Sequence, residues 1–176
     1  MKRKTKIKAI LLVITAVIIR GLLMPQPFVM PVEGGTNKED NHNTFWYHPW
    51  GKSVTHKGVD ILAKEGTALR SATYGFVVYT GINGAGGNVV LILGPKWRFH
   101  YYAHLQHIET SSFSWVGTGK RIGTVGKSGN AGNTPAHLHY SIVTAIPYIW
   151  RIDRKAPHGL RKMFFLNPID YLKNIR

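Results

Sequence analysis

Between Thr55 and Val143 glycine cuts the chain into short β-branched or aromatic runs: Phe76 to Tyr79, Asn88 to Leu93, Trp97 to Ala103, Arg121 to Val125 and Leu138 to Val143. No 3.6-residue apolar period links these runs, so a helical bundle is excluded. Strands at this spacing predict a mainly β fold, an antiparallel sandwich-like or barrel-like sheet in one domain. Composition agrees, with 19 Gly and 9 Pro in 176 residues and only 18% charged. Gly84-Ala85-Gly86-Gly87 is followed by a strand and by no Gly-Lys-Ser/Thr, which predicts a hairpin turn rather than a phosphate loop. Near the end, Asn167-Pro168-Ile169-Asp170 supplies a cap, a helix-starting proline and an early acid, and predicts a short closing helix.

The N-terminus has a different character. Lys2, Arg3, Lys4, Lys6 and Lys8 precede the apolar block Ala9 to Ile19, and Arg20 follows it. A basic start before an apolar block predicts a signal peptide or membrane anchor over residues 1–24, although a span needs about 20 apolar residues. No small-residue cleavage pattern follows Arg20, so an uncleaved anchor extended by Gly21 to Met24 stays open. Residues 25–44, rich in Pro, Gly and Asn, read as a linker or extended arm, and 45–176 as the folded domain. Export to the periplasm or cell envelope follows, with possible membrane contact through the N-terminus. The net charge of +15 attracts any polyanion, but no nucleic-acid recognition motif accompanies it, and nucleic acid is not expected as a partner. The chain has no cysteine, which excludes disulfides, thiolate zinc sites, thiol nucleophiles and lipoprotein acylation.

Three short motifs hold the residues able to do chemistry. In His56-Lys57-Gly58-Val59-Asp60, the flanking Gly58, Val59 and Ile61 predict a strand on which His56 and Asp60 share a face. In His137-Leu138-His139, the alternation continued by Tyr140, Ser141, Ile142 and Val143 puts His137, His139 and Ser141 on one face. A His-Asp-His set drawn from both motifs leaves a coordination position for water, the signature of a catalytic zinc site. A two-His-one-carboxylate iron oxygenase uses the same ligand types but usually shows His-x-Asp spacing.

The third motif, Tyr101-Tyr102-Ala103-His104-Leu105, completes an ordered series. His-x3-Asp, Tyr-Ala-His-Leu, Ile122 to Gly126 with Ser128-Gly129-Asn130, and His137-Leu138-His139-Tyr140 together resemble the M23 family of zinc metallopeptidases, the LytM/lysostaphin type. Gly66-Thr67, Gly75-Phe76-Val77 and Gly87-Asn88-Val89-Val90 agree with that pattern, and the match covers about residues 51–143. The resemblance implies an antiparallel sheet domain with a groove, and a zinc endopeptidase that cuts peptide cross-bridges of peptidoglycan. It implies His56, Asp60 and His139 as zinc ligands, and His104 and His137 as catalytic histidines that do not bind the metal. Zinc then lowers the pKa of water and polarises the scissile carbonyl, while the histidine pair divides proton transfer and oxyanion stabilisation. The alternative is a catalytically silent scaffold of the same family that activates other wall hydrolases; such scaffolds typically lack ligands.

Other residues carry plainer expectations. Glu65 and Glu109 are the acids near a motif and compete weakly with the histidines as base. His100 shares strand parity with Tyr102 and His104 and is expected as a half-exposed sheet residue. His42, His48, His107 and His158 lie in loop-like contexts and are expected to be solvated. Trp46, Tyr47, Trp50, Trp97 and Trp115 are candidates for sugar stacking, core or groove wall. The aromatic and basic segment Thr144 to Leu166 departs from the compact family pattern, as an extra groove wall or a membrane-facing surface. Sequence carries no sign of oligomeric state.

Overall fold

A computed structural model describes residues 2–35, 44–173 and 175; His42, Glu39 and Asp40 lie outside the described residues. The glycine-punctuated runs form one antiparallel sheet, and the expected strands are all present. In chain order they are β1 (Val59–Leu62), β2 (Ala68–Arg70), β3 (Gly75–Ile82), β4 (Asn88–Gly94), β5 (Arg98–Ile108), β6 (Trp115–Val116), β7 (Arg121–Val125), β8 (His137–Thr144) and β9 (Phe165–Leu166). The order across the sheet is β1-β8-β5-β4-β3-β6, with β2 on β7, β7 on β5, and β9 on β8. Two helices flank the sheet, α1 (Lys2–Leu23) and α2 (Ile169–Leu172). Helix α2 starts where expected, its Ile169 N–H donating to Asn167 Oδ1 at 3.2 Å. Gly84 to Gly86 form the turn of the β3–β4 hairpin.

Strand β5 changes neighbours along its length. From Arg98 to Ala103 it pairs with β8, and from Leu105 to Ile108 with β7. His104 stands at the change, with a left-handed φ of 66°. The core forms where these ladders fold over one another: Val59, Ile61, Leu69, Ile92, Tyr102, Leu105, Ile122, Leu138, Tyr140 and Ile142 are all fully buried. Burial of this alternate set fixes the strand registers, because a one-residue slip would turn each apolar face to water.

Residues 25–35 run along the outside of β2, with Val29 N–H donating to Ala72 O, Arg70 N–H to Pro31 O and Glu33 N–H to Ala68 O. Val32 enters the core there. Helix α1 meets the domain at Trp97, whose indole N–H donates to Ile18 O at 2.9 Å, and at Lys96, whose Nζ donates to Leu22 O at 3.0 Å. The indole fills the place a side chain at Gly21 would need. Most of the apolar residues of α1 between Ile7 and Leu23 are exposed, yet no helix among the described residues is long and apolar enough to cross a membrane.

Three expectations require correction. His56 is not on a strand: β1 begins at Val59, and His56 comes from the preceding loop, where Trp46 N–H donates to His56 O and His56 N–H to Tyr47 O. His100 is fully buried rather than half-exposed, between Tyr140 Oη at 2.7 Å and Gln26 Nε2 at 3.0 Å. Its parity with His104 is broken by the left-handed residue at His104, which shifts the alternation by one. His107 lies in β5 rather than in a loop, and His158 is half-buried, with Nδ1 at 3.3 Å from Thr55 Oγ1.

Candidate metal centre

The alternation of β8 turns His137, His139, Ser141 and Val143 to one face and Leu138, Tyr140 and Ile142 to the core. Asp60 lies directly across from His139 in the β1–β8 ladder, so backbone register sets their approach. Gly58 lets the loop from His56 cross β8 closely, since a Cβ there would run into Tyr140 O and Ser141 Oγ. The three side chains meet at one point. Asp60 Oδ1 is 3.0 Å from His56 Nε2 and 2.8 Å from His139 Nδ1, and the two ring nitrogens are 3.0 Å apart.

The hydrogen bonds behind this triangle show what it suits. His56 Nδ1 lies 3.1 Å from Thr44 O, an acceptor, so Nδ1 carries the proton and the lone pair of a neutral ring is at Nε2. That lone pair faces a carboxylate oxygen. Burial pushes His139 down despite Asp60, which keeps its ring neutral. Two imidazoles and one carboxylate therefore converge on a shared point, a group that could hold a divalent cation such as zinc. Thr44 O is the outer partner that orients the ring of His56.

His104 and His137 stand beside this triangle, their rings edge to face at 4.9 Å. His104 Nδ1 donates to Ser128 O at 2.9 Å and His137 Nδ1 to Pro135 O at 2.8 Å, which leaves Nε2 of each as the free nitrogen. His137 Nε2 lies 4.0 Å from Asp60 Oδ1. Burial, opposed by the bond to Ser128 O, pushes His104 down to about 4. A groove opens over these groups, with walls that include Trp50, Tyr101, Asn130 and Phe165.

All five residues singled out as ligands or catalytic histidines thus come together. Glu109 does not join them, being held by Arg121 Nε at 2.6 Å, and Glu65 is exposed in the turn after β1. Of the aromatic candidates, Trp46 is buried, Trp97 meets α1, and Tyr47 and Trp115 are exposed. Trp50 stacks on the His56 ring at 4.2 Å and 26° between planes. The carbonyls of Thr44, Ser128 and Pro135, which set the three tautomers, had no signal in sequence, because every residue type carries a carbonyl.

Comparison with known proteins points the same way. The model of Peptidase family M23 matches residues 54–149, more than half of the chain. The L-Ala–D-Glu endopeptidase of Bacillus subtilis (strain 168) is 38% identical over 102 residues, 53% of this chain and 31% of that protein. The DD-carboxypeptidase/endopeptidase Mpg of Neisseria meningitidis serogroup B is 34% identical over 120 residues, 64% of this chain and 27% of that protein. The matched stretch is thus about a third or less of either relative. The catalytic domain of lysostaphin from Staphylococcus simulans superposes with a TM-score of 0.58 at 23% identity, over 72% of this chain and 86% of that one. At that identity the likeness is one of fold.

Proposed function

The chain belongs to peptidase family M23, and on that premise we propose that it is a zinc-dependent endopeptidase hydrolysing peptide cross-bridges of bacterial peptidoglycan. The observation that carries this reading is the convergence of His56 Nε2, Asp60 Oδ1 and His139 Nδ1 beside two further histidines with free Nε2 atoms. His56, Asp60 and His139 hold the metal. Zinc bound there supplies Lewis acidity, which acidifies water and polarises a peptide carbonyl.

The protein's own groups do the rest. The Thr44 carbonyl keeps the His56 ring in the ligating tautomer. The bonds to Ser128 O and Pro135 O orient His104 and His137 and leave both Nε2 atoms free to exchange protons with substrate and water. Between them the two imidazoles take up the proton of the attacking water and donate to the oxygen on which charge develops. The walls at Trp50 and Tyr101 confine a peptide strand across β5 and β8. Residues 45–176 form the peptidase domain, 25–44 a linker or extended arm, and 1–24 a signal or anchor that takes the domain out of the cytoplasm.

Incubating the full chain with purified sacculi, with and without a chelator, and identifying released peptides by mass tests this reading. Chelator-sensitive release of peptides newly cut in the cross-bridge is expected. No release by zinc-loaded protein would replace the enzyme with a silent scaffold.

A further inference from the structure

The segment between β8 and β9 packs Tyr148 against the core and sets His158 against Thr55, but it exposes its tip. Its tip, Ile149 to Arg151, is one turn of 3-10 helix, and Ile149 and Trp150 are 65% and 75% exposed. Several contacts hold that tip in place. Tyr148 N–H donates to Met163 O at 2.9 Å, Arg98 Nη2 donates to Tyr148 Oη at 3.1 Å, and the Tyr148 ring meets Trp150 edge to face at 5.0 Å. An isoleucine and a tryptophan fixed outward by their own scaffold are presented for contact, since both could have been buried in a segment free to fold back.

The charges around the tip are mostly positive. Arg151, Arg154, Lys155 and Lys162 lie around Asp153, which pairs with Lys162 at 3.0 Å. Arg151, Arg154, Lys155 and Lys162, together with Asp153, line a shallow depression beside Trp150. Four cations against one acid already paired with Lys162 make this an anion-attracting surface.

Position in the fold selects the source of the anion. Ala145 and Ile146, at the start of the segment, share an apolar cleft with Val13, Ile14, Val17 and Ile18 of α1 and with Trp97. The segment therefore meets the exposed apolar helix at its root, three residues before the tip. It lies at the Thr144 end of β8, five residues from His139, or about 17 Å at the rise of a strand. Exposed tryptophan, flanking cations and a neighbouring apolar helix are together the features of a surface that rests on a lipid headgroup layer. We propose that the Ile149–Lys155 face docks on the surface of an anionic phospholipid bilayer, with α1 beside it and the groove turned away from the lipid.

Because the chain has no cysteine, a single reporter can be placed anywhere. The full chain carrying Trp150→Cys, and separately Ile82→Cys at the groove end of the β3–β4 hairpin, is labelled with an environment-sensitive fluorophore. Each is mixed with phosphatidylglycerol vesicles, phosphatidylcholine vesicles and purified sacculi. The label at position 150 should shift to the blue and be quenched by lipid-borne quenchers on phosphatidylglycerol vesicles, while the label at 82 stays aqueous. Replacing Arg151, Arg154 and Lys155 by Gln should weaken partitioning into those vesicles on the order of 100-fold, because each cation near an anionic surface contributes about a factor of five. Partitioning into phosphatidylcholine should be unchanged. A label at 150 that stays aqueous on every vesicle, or that responds to sacculi and not to lipid, would overturn the proposal, whether or not the protein cleaves peptidoglycan.

Discussion

The hydroxyl of Ser141 lies 3.0 Å from Nε2 of His139, on the opposite edge of the ring from Asp60. Ser141 follows His139 by two residues on the same face of β8 and is buried. A hydroxyl that accepts from Nε2–H leaves the lone pair of His139 at Nδ1, where the ligand triangle is. Ser141→Ala should therefore lower zinc affinity by about 10–100-fold, in keeping with the loss of an outer partner of a ligating histidine. Chelator competition measures this. Unchanged affinity would reduce Ser141 to a filler of space.

His139→Ala removes one of the three proposed ligands and should abolish metal retention through gel filtration, read by elemental analysis. Full occupancy in that variant would refute the ligand assignment.

His104→Ala and His137→Ala should keep the metal and lose activity on sacculi by on the order of 10²–10⁴-fold each, the range for positioned acid–base groups and oxyanion donors. Loss of metal from either variant would make that histidine a ligand.

Stability should depend on pH through His100. Burial, with Arg98 adding to it, pushes its folded pKa down to about 3, against an unfolded value of 6.5. Above pH 6.5 both states are neutral there and the group adds no pH dependence. As pH falls below 6.5 the unfolded chain takes the proton and the folded one refuses it, so stability is lost progressively toward pH 3, by up to about 1.4 kcal/mol per unit. Other histidines titrate too, so the difference between the protein and His100→Gln isolates the effect. Denaturant midpoints at pH 7 and pH 4.5 should converge for the pair as pH falls, and a constant difference would contradict the assignment.

The strands of five residues or more were legible because glycine and alternation mark them. Strand β8 is the clearest case, since period two alone sorted His137, His139 and Ser141 from Leu138, Tyr140 and Ile142. Strands β2, β6 and β9, of two or three residues, are too short for a period and exist because longer neighbours pair with them. Parity failed at His104 because a left-handed conformation at a histidine leaves no mark in composition, unlike one at glycine. For the same reason His100 reads as half-exposed when it is fully buried. His56 was misplaced because His-x3-Asp spacing satisfies a strand and a loop crossing equally, and the crossing is decided by Trp46 and Tyr47, ten and nine residues upstream. The triangle itself survived that error, since Asp60 and His139 face each other through β1–β8 register alone.

On the edge away from β4, strand β5 passes from the β8 ladder to the β7 ladder, and His104 occupies the single residue between them. Substitutions around the groove leave that handover alone, but a residue gained or lost between Tyr101 and Leu105 cannot be absorbed by a loop. It would either pull Leu105 out of the core or rotate His104 away from His137. Change in length is thus confined by the backbone to the hairpin ends and to the segment after Thr144, so this chain can diversify by insertion at its rim while its centre accepts only replacement.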